Sequence, residues 1–245
     1  MRHYFFLVIY LSFILIMLNS CKSLNSKNTF DVIKLKGKKN SDVIHWDVIT
    51  IGNLSRNRYW GESEERSLHS VICTTTIIRL KDYTIIVDPS LKDSTEMAKE
   101  LMRRTGLAPD DIDVVFVTHE HGDHHAGILN FPKARWLANP IAAEIINKEN
   151  NYIKKVEPAG TKIFDCIDVV TAPGHTPGTS GLRFDFKGLS IFVAGDAVAT
   201  KDFWDENRMY FKALDTEESL RTYEKIAGMS DIVVPGHDNY FFCGF

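Results

Sequence analysis

The chain has little cysteine, no long uninterrupted apolar run and no excess of positive charge. Its four cysteines among 245 residues include no Cys-x-x-Cys pair, so a cysteine-based zinc or redox motif is excluded. The longest apolar run, from Phe5 to Leu18 and broken by Ser12, is too short for a comfortable transmembrane helix. A net charge of -3 argues against nucleic acid as a partner. No internal repeat is visible, which removes the solenoid architectures. What remains is the composition of a globular protein: 44% hydrophobic, 11% aromatic and 25% charged residues. Such a length fits one large domain, or two small ones, and can bury a core without disulfide staples.

The charge is unevenly spread. Residues 1–20 hold only Arg2, residues 22–42 carry +4, and the remainder carries -8. Arg2 followed by the short apolar run has the form of a secretory signal. The run ends at Leu18-Asn19-Ser20-Cys21, which resembles the lipobox of bacterial lipoproteins. That resemblance implies cleavage before Cys21, lipid attachment to its thiol, and export to a bacterial cell envelope membrane; two or three acyl chains give stable anchoring. Lys22 to about Asp42 is polar, with a Lys-Gly-Lys-Lys run at Lys36–Lys39, and reads as a solvated tether. The expected organisation is therefore a signal peptide at 1–20, a lipid-anchored linker at 21–42 and a single domain at 43–245. Cys73, Cys166 and Cys243 read as buried thiols; one disulfide among them is possible on sequence grounds.

The body alternates strand and helix signals. Val43–Ile51, Val71–Leu80, Tyr83–Val87, Asp113–Thr118, Ala134–Ala138, Asp168–Thr171, Gly181–Phe186, Leu189–Ala194 and Asp231–Val234 read as strands, and Lys81-Asp82 as a hairpin turn. Ser94–Thr105, closed by Gly106, reads as a helix, as do Pro140–Lys148 and Thr216–Ala227. Strand pairs followed by strand–helix alternation suggest sheets covered by helices, an α/β (α+β) class. The reactive residues fall just past strand ends: His119, Asp196 and His237. Loops on a rigid scaffold commonly carry chemistry.

Four of the nine histidines lie within Thr118-His119-Glu120-His121-Gly122-Asp123-His124-His125. A core histidine usually appears alone, and four beside an Asp after an apolar strand do not suit packing. Imidazole nitrogen and carboxylate oxygen are the donors that borderline metals such as zinc prefer. On a turning loop, His119, His121 and Asp123 can reach different sides of one small volume. Glu120 and Gly122 read as spacers, and His125 as a structural neighbour.

This stretch resembles the HxHxDH signature of the metallo-β-lactamase superfamily. Ala172-Pro173-Gly174-His175-Thr176-Pro177-Gly178, Val193-Ala194-Gly195-Asp196 and Val234-Pro235-Gly236-His237 resemble the family's later motifs, in order. The resemblance covers about Val43 to His237. It implies a four-layer αββα fold, two mixed sheets flanked by helices, and a two-zinc site, with iron or manganese as other occupants. It assigns His119, His121 and His175 to one metal and Asp123, His124 and His237 to the other, with Asp196 between them. Asp123 would also orient or deprotonate the attacking water, a metal-bridging hydroxide. Asp88 resembles a supporting Asp on an early strand, although Pro89-Ser90 departs from the usual Thr-Gly.

Members differ in substrate, so departures matter. Zinc β-lactamases usually carry Cys or Ser where Asp196 stands. Glyoxalase II continues into a glutathione-binding region, whereas only Asp238–Phe245 follows His237 here. Acyl-homoserine lactonases often have a Tyr where Ala199 stands. No insertion of the tRNA-processing type is visible, and His121 with the length excludes flavodiiron proteins. The expectation is a compact metallohydrolase acting on a small-molecule ester, thioester, lactone or phosphoester. An iron-dependent persulfide-type dioxygenase, a nuclease-like member and a non-catalytic surface binding protein are the alternatives. Arg56, Arg58, Tyr59 and Trp60 in one loop, and Phe203, Trp204, Tyr210 and Phe211 in another, are candidate pocket walls. The sequence names no protein partner.

Overall fold

The computed structural model describes residues 43–57, 61–63, 65–210 and 213–243. The expected signal, lipid-attachment residue Cys21 and linker lie outside the described residues, as do Arg58, Tyr59, Trp60 and Phe211. Among the described residues no helix is long and apolar enough to cross a membrane.

The first sheet contains β1 (Val43–Thr50), β2 (Thr75–Leu80), β3 (Thr84–Val87), β4 (Val114–Val117), β5 (Arg135–Ala138) and β6 (Glu157–Pro158), neighbouring in that order. Its first two pairings are antiparallel and its last three parallel. The second sheet contains β7 (Lys162–Ile163), β8 (Ile167–Thr171), β9 (Ser180–Phe186), β10 (Leu189–Gly195), β11 (Ile232–Pro235) and β12 (Phe241–Phe242), also neighbouring in order. All its pairings are antiparallel except β10 with β11. The helices are α1 (Ser94–Thr105), α2 (Pro140–Glu149), α3 (Lys201–Asp205) and α4 (Thr216–Ala227).

Strand residues alternate between two cores, because successive side chains point to opposite faces. Ile78, Ile85, Val87, Val114 and Phe116 of the first sheet meet Leu182, Phe184, Ile191, Val193, Ile232 and Val234 of the second in the central layer. The intervening Ile77, Ile86, Val115 and Val117 face outward onto Met97 and Leu101 of α1 and Ala142, Ala143 and Ile146 of α2. Phe192, Ala194 and Val233 likewise face Tyr223 and Ile226 of α4. The result is the expected four layers, helix–sheet–sheet–helix. Strands apolar on both faces read as continuous β-branched runs for this reason.

Three sequence expectations shift. The strand expected from Val71 begins at Thr75, because the preceding residues bond elsewhere. Ile72 forms a single bridge with Asn53, and the Thr74 N–H donates to Gly236 O at 2.6 Å. The short strands β6, β7 and β12 carry no two-residue pattern that periodicity could detect. Lys201–Asp205, expected only as pocket wall, is a helix. Helix ends follow local rules: the Asp93 carboxylate caps α1 through Thr95 N and Glu96 N, and Gly106 closes it with φ 73°. Such caps satisfy N–H groups that have no partner within the helix.

Candidate metal centre

The ends of β4, β10 and β11 deliver residues to one place. Val117 leads into Thr118-His119, Gly195 into Asp196, and Pro235-Gly236 into His237. The His175 loop joins β8 to β9 and is closed by the Ala172 N–H donating to Thr179 O at 2.9 Å and the Thr176 N–H to Thr179 Oγ1 at 3.1 Å. A hydrogen bond from Ser180 N to Thr118 O at 2.9 Å ties it to the first sheet.

Two glycines make the convergence possible. Gly195 has φ 53°, and a Cβ there would lie 2.2 Å from Thr118 Oγ1. A Cβ on Gly236 would lie 2.0 Å from Asp196 Oδ1. Both backbones pass where a side chain cannot fit.

All seven residues expected at the centre come together, in two groups. His119, His121, His175 and Asp196 form one, Asp123, His124 and His237 the other, with donor atoms within 4.8 Å of one another in each. Asp196 connects the groups. Its Oδ2 is 3.4 Å from His175 Nε2, and its Oδ1 is 3.2 Å from His124 Nε2 and 3.1 Å from His237 Nε2. Asp123 Oδ2 is 3.5 Å from His237 Nε2 and 3.7 Å from His124 Nε2. His175 Nε2 and His121 Nδ1 are 3.0 Å apart.

Three of the five imidazoles, those of His119, His124 and His237, are held from behind. Asp88 Oδ2 accepts from His124 Nδ1 at 2.8 Å and from Thr118 Oγ1 at 2.7 Å, while Oδ1 accepts from Thr118 N at 2.8 Å. Thr118 Oγ1, having given its proton to Asp88, accepts from His119 Nδ1 at 3.2 Å. His237 Nδ1 donates to Ile72 O at 3.0 Å. Each bond fixes one ring nitrogen as N–H and leaves Nε2 as the lone pair facing the centre. His119 Nε2, His124 Nε2 and Asp196 Oδ1 are buried there without a hydrogen-bond partner; the short His124–Asp196 approach is not aligned as one. Buried polar atoms with no partner are costly, and a cation is the group these donors fit.

Burial drives the His119 imidazole well below its ordinary value and that of His175 to about 4, so both stay neutral, as ligation requires. For His124, burial opposes protonation, but the Asp196 and Asp88 carboxylates beside it raise the group above its ordinary value. Burial likewise opposes protonation of His237, and Asp196 raises it. Burial would raise Asp196, but His237, His124 and His175 hold it well below the carboxylate range.

Other residues serve the centre less directly. His125 is committed at both nitrogens, to Tyr152 Oη at 2.7 Å and Glu120 O at 3.1 Å, so it supports the loop as expected. Glu120, expected to be a spacer, accepts from Thr176 Oγ1 at 2.9 Å and ties the first motif loop to the His175 loop. Cys73 was also hidden in the sequence. Its fully buried thiol, pushed up to about 12 by burial, reaches Asp88 O and Asp123 O at 3.3 Å each. No disulfide joins the described cysteines. No periodicity could reveal either contact. Of the expected pocket walls, Phe203 and Tyr210 pack together with Ala199 and Leu54, their rings meeting edge to face at 5.7 Å. Trp204 packs on Tyr223 and Phe241 instead.

Two helix-covered sheets thus bring five imidazoles and two carboxylates together in an arrangement that could hold metal ions. The family model of the metallo-β-lactamase superfamily matches residues 70–237, and the chain belongs to that superfamily of metallo-hydrolases. A protein of Methanocaldococcus jannaschii assigned as a metallo-hydrolase is 29% identical over 160 residues, covering 64% of this chain and 72% of that protein. Mouse metallo-β-lactamase domain-containing protein 1 is 29% identical over 56% of this chain and 53% of its own length. An N-acyl homoserine lactonase of a Bacillus species is 26% identical over 56% of this chain and 60% of its own length. The chain thus spans little more than half the length of the last two. Among solved structures, a metal-dependent hydrolase from Staphylococcus aureus superposes with TM-score 0.63 at 16% identity, covering 84% of this chain and 92% of that one. An N-acyl homoserine lactone hydrolase with bound N-hexanoyl-L-homoserine gives 0.58 at 17%, covering 82% and 94%. At these identities the superpositions establish the fold.

Proposed function

We propose that this protein is a two-zinc hydrolase that cleaves an ester, thioester, lactone or similar bond in a small molecule. The carrying observation is the set of buried, unpartnered donors facing one another, with the rings of His119, His124 and His237 fixed from behind. His119, His121 and His175 would hold one cation, Asp123, His124 and His237 the other, and Asp196 both. Nitrogen and carboxylate donors suit zinc, and iron or manganese accept the same set. Bound dications supply Lewis acidity and a water acidic enough to ionise near neutral pH. Asp123, whose side chain is 26% exposed, would orient the attacking water and accept its proton. Asp88 and Thr118 keep His124 and His119 in the tautomers that ligation needs.

Two considerations favour an acyl substrate over a β-lactam. Asp196 replaces the Cys or Ser usual in zinc β-lactamases, and an alcohol or thiol departs more readily than an amide nitrogen. The lactonases among the relatives support a cyclic or linear ester. We further place the domain, beginning near residue 43, on a bacterial envelope membrane through lipid on Cys21. Fatty-acid labelling abolished by Cys21→Ser is the expected result, and labelling retained by the variant would refute the anchor.

The test of the activity combines elemental analysis with kcat/KM for aryl ester, thioester, lactone, phosphodiester and chromogenic cephalosporin. About two zinc ions per chain and preference for the acyl substrates are expected. One iron per chain with oxygen uptake would overturn the hydrolase. A cephalosporin preference of roughly tenfold, about 1.4 kcal/mol, would overturn the substrate ranking, as would preference for the phosphodiester.

A further inference from the structure

Residues 72–74 lie behind the second group of donors, and each of the three holds part of it. Ile72 O accepts from His237 Nδ1 at 3.0 Å. The Thr74 N–H donates to Gly236 O at 2.6 Å and the Thr74 hydroxyl to Asp238 O at 2.8 Å, so Thr74 grips the chain on both sides of His237. Between them Cys73, wholly buried, places its Sγ 3.3 Å from Asp88 O and 3.3 Å from Asp123 O. Asp123 is itself a donor of this group, and Asp88 holds the remaining one, His124, through its Nδ1 at 2.8 Å. One tripeptide thus touches the supports of all three residues, Asp123, His124 and His237.

The sulfur sits where the chain needs a constraint. Asp88 adopts φ 48°, a left-handed backbone that residues other than glycine take infrequently and that persists when the surroundings hold it. Its carbonyl accepts from Cys73 Sγ and from Thr75 Oγ1 at 2.8 Å, and its N–H donates to Phe116 O at 3.0 Å. Asp123 lies in a three-residue 3-10 turn, Gly122–His124, and the thiol ties that turn to the segment leading into β2. The first group is anchored elsewhere. The Leu214 N–H donates to His175 O at 3.2 Å, and Glu120, next to His121, accepts from Thr176 at 2.9 Å. His119 is joined to Asp88 at one remove, through Thr118 Oγ1.

We propose that Cys73 is a positioning residue for the cation held by Asp123, His124 and His237: its S–H fixes the Asp88 and Asp123 backbones relative to each other, and its loss weakens that group while sparing the group of His119, His121 and His175. This rests on the two-cation reading above. Cys73 takes no part in bond making or breaking. It acts on Asp123 directly and on His124 through Asp88. A thiol is a weak donor, but loss of a supporting partner typically costs about 10–100-fold in metal affinity, and here that cost falls on one of the two groups.

The experiment titrates zinc chloride into the full-length protein, stripped of metal and held in detergent, against a chromogenic chelator. His237→Ala identifies which binding step belongs to the second group. Alanine and serine are nearly equal in size and differ by a hydroxyl donor, so Cys73→Ala and Cys73→Ser separate donation from packing. Far-ultraviolet circular dichroism is recorded on every variant, and Cys73→Val, which fills the space without a donor, serves if the Ala variant fails to fold. The wild type should bind two zinc ions. Cys73→Ala should weaken the step lost in His237→Ala by about 10–100-fold and the other step by less than about threefold. Cys73→Ser should recover most of that loss. Equal weakening of both steps, unchanged binding, or a Ser variant no better than Ala would overturn the proposal. If the wild type binds two zinc ions and the Cys73 variants match it, the two-cation reading stands and positioning by Cys73 falls. If the wild type binds one ion, and Cys73→Ala weakens it while Cys73→Ser restores it, the two-cation reading falls and positioning by Cys73 stands. If it binds one ion and the variants leave it unchanged, both fall.

Discussion

At the residue scale, Asp88 shows how one carboxylate can set the chemistry of another residue. It is buried, adopts φ 48°, and spends both oxygens on Thr118 and His124. Removing it would free His124 to adopt the wrong tautomer and would leave Thr118 without its acceptor. Loss of such a supporting partner typically costs about 10–100-fold in metal affinity or activity. Asp88→Ala should lose zinc to a competing chelator at correspondingly lower chelator concentration; an unchanged competition curve would contradict the role. Asp196→Ala should cost more activity than His125→Ala, because Asp196 faces both groups whereas His125 bonds Tyr152 and Glu120. Equal losses in folded variants would mean the two groups do not share Asp196. The raised His124 and His237 in the metal-free fold carry a pH consequence. Protonation of these imidazoles competes with a cation, so uptake should release protons and weaken as pH falls. Calorimetry in buffers of different ionisation enthalpy would detect that release, and identical heats in all buffers would count against it.

At the scale of elements, the centre depends on how closely strand ends approach. The β11 terminus runs so near Asp196 that the Gly236 position has room for hydrogen only. Gly236→Ala would push against the Asp196 carboxylate and the Gly195 backbone. Overpacking of this kind costs about 1–3 kcal/mol, and here the displaced atom is itself a donor of the centre. The variant should therefore unfold at lower temperature and also bind fewer than two zinc ions per chain. Loss of stability with full zinc content would place the contact outside the centre's function. The β4 and His175 loops show the same dependence through softer links, with Glu120 bonded to Thr176 and Ser180 to Thr118.

At the scale of the whole molecule, the centre sits where the two sheets meet, so an occupant would link them. Five imidazoles and two carboxylates packed together favour the fold less without a cation to satisfy them. A ligand at 1,000 times its dissociation constant stabilises the folded state by about 4 kcal/mol. At roughly 2–4 °C per kcal/mol for a domain of this size, chelation should lower the melting temperature by about 10 °C, and added zinc should restore it. Calorimetric scans that coincide with and without chelator would mean the donors do not bind metal within the folded protein.

Much of this was legible in the sequence, for identifiable reasons. Alternation along β2, β3, β4, β10 and β11 produced apolar runs recognisable as strands, and Gly106 marked the end of α1. The histidine cluster and the later motifs named all seven residues of the centre, because donor type and local spacing are sequence properties. The diversion of the expected Val71 strand start into site-lining backbone, the tie from Glu120 to Thr176 and the Cys73 contacts were not legible. Each joins residues far apart in the chain or replaces a sheet bond by a contact across the centre. Sequence by itself determined which faces are apolar and which groups can bind a cation, since both follow from side-chain chemistry. Only the tertiary structure decided which ring nitrogen faces inward and which carboxylate stands between the two groups, because those depend on distances that exist only once the two sheets have packed.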